Sequence, residues 1–279
     1  MDRFLDRPEG RIAFSESGPA DARALIATHE PTGSRTDEDA WGVFDWSAVA
    51  AAGQRLIRYD LRGHGASVGR AEQSDFSWPA LAQDLLALAD RASPDRRVDL
   101  LGVATGCGTV LRAALRAPER VRRLVLVIPP PIGADRERQA QLYRAAADLA
   151  EVRGIDAWVR AASGMPAVPV LVEGGWRRPS VPGVSEALLP LVVRADADSA
   201  LPSDYELAEL PQQTLLLAWT GDASHPIASA ERLATVLAAA RCEVADSAAT
   251  VAGWGMRVAA FLRDGLPDGG HPAARAAST

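Results

Sequence analysis

The sequence predicts an α/β protein with a mostly parallel central sheet, flanking helices and an inserted helical cap. Strand-like and helix-like segments alternate along most of the 279 residues, as parallel strands joined by helices require. A short apolar run ends in a Gly-x-Ala-x-Gly turn at residues 102–106 and leads into a helical pattern. The block from 131 to 212 has no strong strand signal. With 48% hydrophobic residues, the chain can bury one large core.

Strands are predicted where short apolar runs are bounded by turn residues. The first run stops at Gly18 and Pro19, and we expect it to be an edge strand. In chain order the predicted strands cover residues 11–17, 23–28, 54–59, 98–101, 124–128, 214–219 and 242–245.

Helices are predicted from the spacing of apolar residues. Leu81, Leu85 and Leu88 share one helical face, and Pro79 suits a first turn. In chain order the predicted helices cover residues 45–52, 78–91, 109–116, 134–152, 155–162, 184–193, 227–240 and 254–263. The predicted division is therefore a core of residues 1–130 and 213–279, with a helical cap at 131–212.

The turn at residues 102–106 is the most informative stretch of the sequence. Gly102 and Gly106 suit a sharp turn where neighbouring backbone approaches so closely that a Cβ would clash. The residue at the tip of such a turn points into a pocket, and in a covalent catalyst it is a nucleophile. Here it is Ala104, whose methyl group cannot attack a substrate.

Four stretches together resemble the α/β-hydrolase superfamily along nearly the whole chain. They are similar to the family's loop after the fourth strand, its nucleophile elbow, the passage from the elbow helix to the next strand, and the strand and loop of the catalytic acid. In this sequence they are residues 59–67, 101–108, 117–126 and 214–226. The resemblance is specific for the fold and weak for the substrate, because this fold hosts many chemistries.

The resemblance implies that Ala104 occupies the nucleophile position and Asp222 the acid position of a catalytic triad. The family's histidine is expected at residues 246–253, and that loop contains none. His225 is one substitute, although a His before Pro is also ordinary turn structure, and His29 is another. We interpret His64 as structural and give His271, in the tail, no role.

The resemblance also places an oxyanion hole between the backbone N–H of Thr105 and an N–H near Glu30. Glu30 replaces the family's glycine, so its carboxylate either lies beside this hole or turns to solvent. Trp176 is predicted to cover a ligand. The following Arg177 and Arg178 either clamp a carboxylate or are solvated, and Cys107 is expected to be buried in packing.

Several function classes are disfavoured by composition and motifs. Net charge is −6 without a basic stripe, which argues against a nucleic-acid partner. No metal-ligand spacing, phosphate loop or dinucleotide fingerprint is visible, so we expect no cofactor and no metal. The two cysteines, the missing signal core and the absence of a long apolar run favour a cytoplasmic protein without a membrane partner. The expected partner is a small-molecule substrate, and the oligomeric state is left open.

Three functions fit these residues. The first is an enzyme that lacks the triad and uses positioning, acid–base catalysis by Asp222, His225, His29 or Glu30, and oxyanion stabilisation. Elimination, cyclisation, decarboxylation or isomerisation would suit it. The second is an ester, lactone or thioester hydrolase whose serine has been replaced by Ala104. The third is a binding protein without turnover. The missing loop histidine favours the first.

Overall fold

The computed structural model describes residues 2–179 and 181–266. Its central sheet has nine strands, with the order β1-β2-β4-β3-β6-β7-β8-β9 and β5 paired to β2. The strands are β1 (Arg3–Arg7), β2 (Gly10–Ser17), β3 (Ala24–Thr28), β4 (Arg55–Tyr59), β5 (Val68–Gly69), β6 (Val98–Val103), β7 (Val121–Val127), β8 (Gln213–Trp219) and β9 (Ala240–Ala245).

Most of the sheet is parallel, as predicted. The strands from β4 through β3, β6, β7 and β8 to β9 run parallel to their neighbours, and β1 and β2 are antiparallel. The prediction that residues 11–17 form an edge strand is wrong, because β1 covers that edge. Strand β1 was not predicted, since charged residues at both ends and Asp6 obscure its apolar positions.

Twelve α-helices surround the sheet in the described residues. They are α1 (Arg35–Trp41), α2 (Ser47–Ala51), α3 (Trp78–Ala92), α4 (Gly106–Arg116), α5 (Gly133–Arg153), α6 (Ile155–Ser163), α7 (Pro169–Glu173), α8 (Leu189–Asp198), α9 (Asp204–Ala208), α10 (Ile227–Val236), α11 (Ala248–Ala252) and α12 (Trp254–Asp264). The predicted helix over residues 184–193 is displaced, because α8 begins at Leu189, and α1 was missed.

Two apolar cores lie on opposite faces of the sheet. Successive strand residues point to opposite faces, so Leu100 of β6 packs with α3, α4 and α10, whereas Leu101 packs with α2 and α12. The second core includes stacked rings of Phe44, Trp219 and Trp254. This three-layer arrangement leaves the loops after the strands free to form a site at one edge of the sheet.

Residues 133–208, the helical segment, connect β7 to β8 through α5 to α9. Its described residues, 133–179 and 181–208, contain no strand, although Val184 forms an isolated bridge with His64. The segment also contacts the loop after β4 through the Gly65 N–H, which donates to the carbonyl of Gly183. It therefore packs beside the carboxyl ends of the strands.

Two observations on the described part of the chain concern membranes and metal ions. None of its helices combines the length and the apolar character that crossing a bilayer requires. No group of three or more His, Cys, Asp or Glu side chains there could hold a metal ion.

Candidate active site

The turn between β6 and α4 holds Ala104 in a left-handed conformation, with φ of 51°. A Cβ on Gly102 would lie 2.4 Å from the backbone carbon of Gly106, and one on Gly106 would lie 2.8 Å from the carbonyl oxygen of Thr28. Only glycine allows these approaches. The backbone geometry of a nucleophile elbow is thus present around a residue without a nucleophile.

Ala104 faces an apolar environment. It is 4% exposed and belongs to the same core as Trp219 and Val170 of α7. Trp176, which we expected to cover a ligand, is partly buried and packs against that core. A substrate would have to enter beside these side chains.

Two backbone N–H groups are available next to Ala104. Among the described residues, neither the Thr105 N–H nor the Glu30 N–H donates a hydrogen bond. The two segments are adjacent, since Gly106 packs against the carbonyls of Thr28 and His29. Thr105 also precedes α4, whose dipole favours negative charge at this end. The arrangement suits an oxyanion.

Asp222 and His225 form a hydrogen-bonded pair after β8. His225 Nδ1 lies 2.8 Å from Asp222 Oδ2, which also accepts a 2.8 Å bond from Trp219 Nε1. The backbone N–H of Ser224 donates to the other carboxylate oxygen. Burial of Asp222 opposes ionisation, but these donors, His225 first, lower the pKa of Asp222 to about 2. Because an ionised carboxylate can only accept, Nδ1 carries the proton of this hydrogen bond.

The position of this pair is fixed from both sides. Trp219, which bonds Asp222, packs in the same core as Ala104. From α5, Gln139 Nε2 donates a 3.1 Å bond to the carbonyl of Ser224. Both contacts anchor the loop that carries His225, whose Nε2 has no hydrogen-bond partner in the part of the chain that the structure describes.

The loop after β9 provides no imidazole. Its Ser247 side chain instead accepts from the N–H of Thr250 and caps α11. Asp222 therefore pairs with a histidine from its own loop rather than with one from the loop that the resemblance indicates.

His29 and His64 have both ring nitrogens engaged. His29 Nε2 accepts from the N–H of Leu61, and its Nδ1 donates to the carbonyl of Glu30. Burial, followed by the neighbouring His64, lowers the pKa of His29 to about 4. His64 contacts the carbonyls of Arg62 and Pro31. Because these contacts occupy both nitrogens of His29, we interpret this histidine as structural. His271 lies outside the described residues.

Glu30 turns inward and pairs with Arg178 of the helical segment. It also accepts from the N–H of Thr32. Burial alone would raise the pKa of Glu30, but Arg178 lowers it. Glu30 is therefore an ionised, paired carboxylate on the wall of a cavity of about 150 Å³. Its partner makes it a poor base.

Asp196 of α8 is a buried carboxyl group that the sequence analysis missed. It lines a small cavity with Thr105 and Gly106, and its Oδ1 accepts a 2.8 Å bond from Trp78 Nε1. Its Oδ2 has no partner among the described residues. Burial raises the pKa of Asp196 to about 6, against the opposing charge of Arg136. No local sequence signal distinguished Asp196 from Asp198, because only the packing of α8 buries one of them.

Comparison with known proteins agrees with this fold. A family sequence model described as the alpha/beta hydrolase fold matches residues 44–182. A crystal structure of a hydrolase from Pseudomonas aeruginosa superposes with a TM-score of 0.77, covering 94% of this chain and 98% of that chain at 24% identity. That likeness concerns the fold.

Two curated relatives are similar over part of their length. The pimeloyl-acyl-carrier-protein methyl ester esterase of Nitrosomonas europaea is 39% identical over 92 residues, which are 32% of this chain and 33% of the esterase. The sn-1-specific diacylglycerol lipase ABHD11 of Mus musculus is 32% identical over 116 residues, which are 42% of this chain and 36% of the lipase. The matched stretches thus span about a third of these relatives.

Proposed function

The chain belongs to the α/β-hydrolase superfamily, and from that premise we propose that it is a cytoplasmic, cofactor-free enzyme that transforms a small carbonyl compound by general acid–base catalysis. The observation that supports this most directly is the 2.8 Å bond between Asp222 and His225, in a chain whose elbow carries Ala104. The proposed reaction is an isomerisation or elimination that begins with removal of a proton next to the carbonyl. We treat residues 131–212 as the cap over the substrate.

His225 is the proposed base. The ionised Asp222 accepts the Nδ1 proton, which leaves the lone pair on Nε2 and stabilises the imidazolium formed after proton transfer. The electron pair of the broken C–H bond forms a carbon–carbon double bond, and the carbonyl electrons move to oxygen. An enolate results, with its negative charge on that oxygen.

The enolate oxygen is proposed to rest against the N–H groups of Thr105 and Glu30, where fixed dipoles favour developing charge. Neutral Asp196, which lines the cavity beside Thr105, then donates its proton to the enolate carbon in an isomerisation, or to the group that departs with its bonding electrons in an elimination. The proton that His225 took up is released to solvent, and Asp196 takes up another, which restores both groups. A buried carboxyl group of raised pKa and an imidazole backed by an ionised carboxylate are a matched acid and base.

A second candidate is ester hydrolysis with water as the nucleophile, activated by the same His225. The names of the esterase and lipase relatives favour this hydrolysis. It shares the oxyanion site with the first candidate and also proceeds without a serine, so the two differ in the bond broken.

The test uses two chromogenic probes. The ring of 5-nitrobenzisoxazole opens when a base removes its carbon-bound proton, and p-nitrophenyl butyrate reports ester cleavage. We expect ring opening by the unaltered protein, reduced about 10²-fold or more in His225→Gln and Asp222→Asn, with His29→Gln as a matched histidine control. Ring opening that survives both substitutions would contradict the proposal. Ester cleavage that depends on His225, without ring opening, would establish the second candidate instead.

A further inference from the structure

A cavity of about 150 Å³ lies between α1 and the helical segment, beside Glu30. Its wall combines three acidic side chains, Glu30, Asp37 and Glu38, with the rings of Trp41 and Trp158. Acidic groups next to aromatic faces are the surroundings that organic cations prefer in proteins.

Two buried side chains of this wall have polar atoms without a partner. Glu38 is 5% exposed and its Oε1 has no hydrogen-bond partner among the described residues, although Arg58 bonds its other oxygen at 3.2 Å. The Nε1 of Trp41, which is 9% exposed, is likewise unpaired there. Two side chains of one cavity wall therefore keep a buried acceptor and a buried donor unsatisfied. Burial raises the pKa of Glu38 to about 7, as expected for a carboxyl group without full compensation.

Arg178 already places a planar cation against this wall. Its guanidinium pairs with Glu30, donates to Thr32 Oγ1 at 3.0 Å, and lies 5.8 Å from the centre of the Trp41 ring. Half of the Arg178 side chain is exposed, so a ligand can reach its contacts from solvent. Arg178 can therefore be displaced by a ligand of the same chemistry.

We propose that this cavity is a binding site for a small, flat organic cation of the amidinium or guanidinium class, for which Arg178 is an internal substitute. The ligand donates to Glu30 and Glu38 and stacks on Trp41, and its arrival releases Arg178. The site shares Glu30 with the proposed oxyanion site, but cation binding requires neither His225 nor turnover.

The probe is benzamidinium, with neutral benzamide and anionic benzoate as controls of the same shape. Isothermal titration calorimetry at pH 7.5 is expected to give one site for benzamidinium, with benzamide at least about tenfold weaker and benzoate not bound. Tryptophan fluorescence should change in parallel, because Trp41 and Trp158 line the cavity.

Variants at four positions distinguish ligand binding in the cavity from the internal contacts of Arg178. Arg178→Ala should bind benzamidinium several-fold more tightly, because no internal cation competes. Glu38→Gln should bind it about tenfold more weakly. Arg177→Ala, which removes the neighbouring exposed arginine, should leave the affinity unchanged, as should His225→Gln. Thermal unfolding of each variant shows whether it is folded.

Three results would overturn the proposal. Benzamide could bind as tightly as benzamidinium. Arg178→Ala could bind benzamidinium more weakly than the unaltered protein does, or neither protein could bind it. A folded Glu38→Gln variant could keep full affinity. None of these results affects the ring-opening test of His225, so failure of one proposal is distinguishable from failure of the other.

Discussion

Ala104 adopts a conformation that L-residues avoid. A left-handed φ costs about 1–2 kcal/mol in a residue with a Cβ, and residues placed under such strain cluster at functional sites. Here the strain persists beside two unengaged N–H groups while the side chain is inert. In the proposed reaction the turn holds the Thr105 N–H toward the enolate oxygen, whatever side chain stands at its tip.

Restoring a hydroxyl at this turn should not restore a hydrolase. We expect Ala104→Ser to lose about 1–2 kcal/mol of stability, because its Oγ enters an apolar core. Neither form should show a burst with p-nitrophenyl butyrate or a covalent adduct with a serine-directed phosphonate by mass spectrometry. Strong phosphonate-sensitive esterase activity in the serine form would instead identify His225 as the base of a working triad.

Asp196 gives the proposed reaction a defined pH dependence. Its pKa of about 6 means that the neutral, proton-donating form is lost as pH rises through 6. The ring-opening rate contributed by this acid should decline over that range. Asp196→Asn should remove the decline and lower the rate below pH 6 by about 10²-fold. The rate profile from pH 5 to 8 measures both, and an unchanged profile in the variant would exclude Asp196 as the acid.

Part of this site could be predicted from residue types alone. A strand followed by a glycine and an aspartate indicated Asp222, and His225 was a candidate because it lies three residues later in the sequence. Their hydrogen bond depends on the fold of one loop, which spacing leaves ambiguous. Asp196 and Glu38 could not be found, because burial by distant elements gives them their chemistry.

The elbow as an element depends on close backbone packing. The missing Cβ of Gly102 lets the start of α4 lie against β6, so that Thr105 faces the same region as Glu30. A Cβ at Gly102 would meet backbone atoms of Gly106, which cannot rotate away as a side chain can.

A methyl group at Gly102 should therefore damage both fold and site. We expect Gly102→Ala to destabilise the protein by about 2–3 kcal/mol in urea unfolding. Gly164→Ala is the matched control, because its Cβ would meet nothing nearer than the carbonyl oxygen of Ala161, at 3.4 Å. The control should change stability by less than about 0.5 kcal/mol. Equal effects in both variants would refute the role given to close packing.

Elements with strong periodicity were predicted well, and elements created by tertiary contacts were not. The leucines on one face of α3 indicated that helix, and the apolar run before the elbow indicated β6. Strand β1 alternates weakly and forms by pairing with β2. Helix α1 is short and begins at the Ser34 cap, which accepts from the N–H of Asp37. Its stability comes from packing rather than from propensity.

At the scale of the molecule, the sheet and the helical segment meet through polar contacts. Glu30 pairs with Arg178, Gln139 bonds the loop of His225, and Trp78 bonds Asp196. Two carboxyl groups at or beside this junction, Glu38 and Asp196, have pKa values raised by burial. Protonation of Glu38 therefore enters the pH dependence of folding.

Glu38 should make the fold less stable as pH rises. In the folded chain it keeps its proton to about pH 7, whereas the unfolded chain loses it near 4.5. The folded state binds more protons in between, so stability falls from pH 4.5 through 7, by about 3 kcal/mol at most. Glu38→Gln should remove this decline in urea unfolding at pH 5 and 8, and Glu137→Gln, an exposed control, should not. A decline that persists in Glu38→Gln would place its cause elsewhere.

The backbone conformation at position 104 also has a consequence for how the gene can mutate. Every alanine codon becomes a serine codon by a single base change, so mutation readily offers a hydroxyl at position 104, already in the required backbone conformation. An imidazole at Ser247 or Ala248 requires more than one change in either codon. Variants that arise spontaneously will therefore acquire the attacking group without the loop histidine. For the triad arrangement that the family resemblance indicates, the histidine after β9 is therefore harder to acquire than the serine.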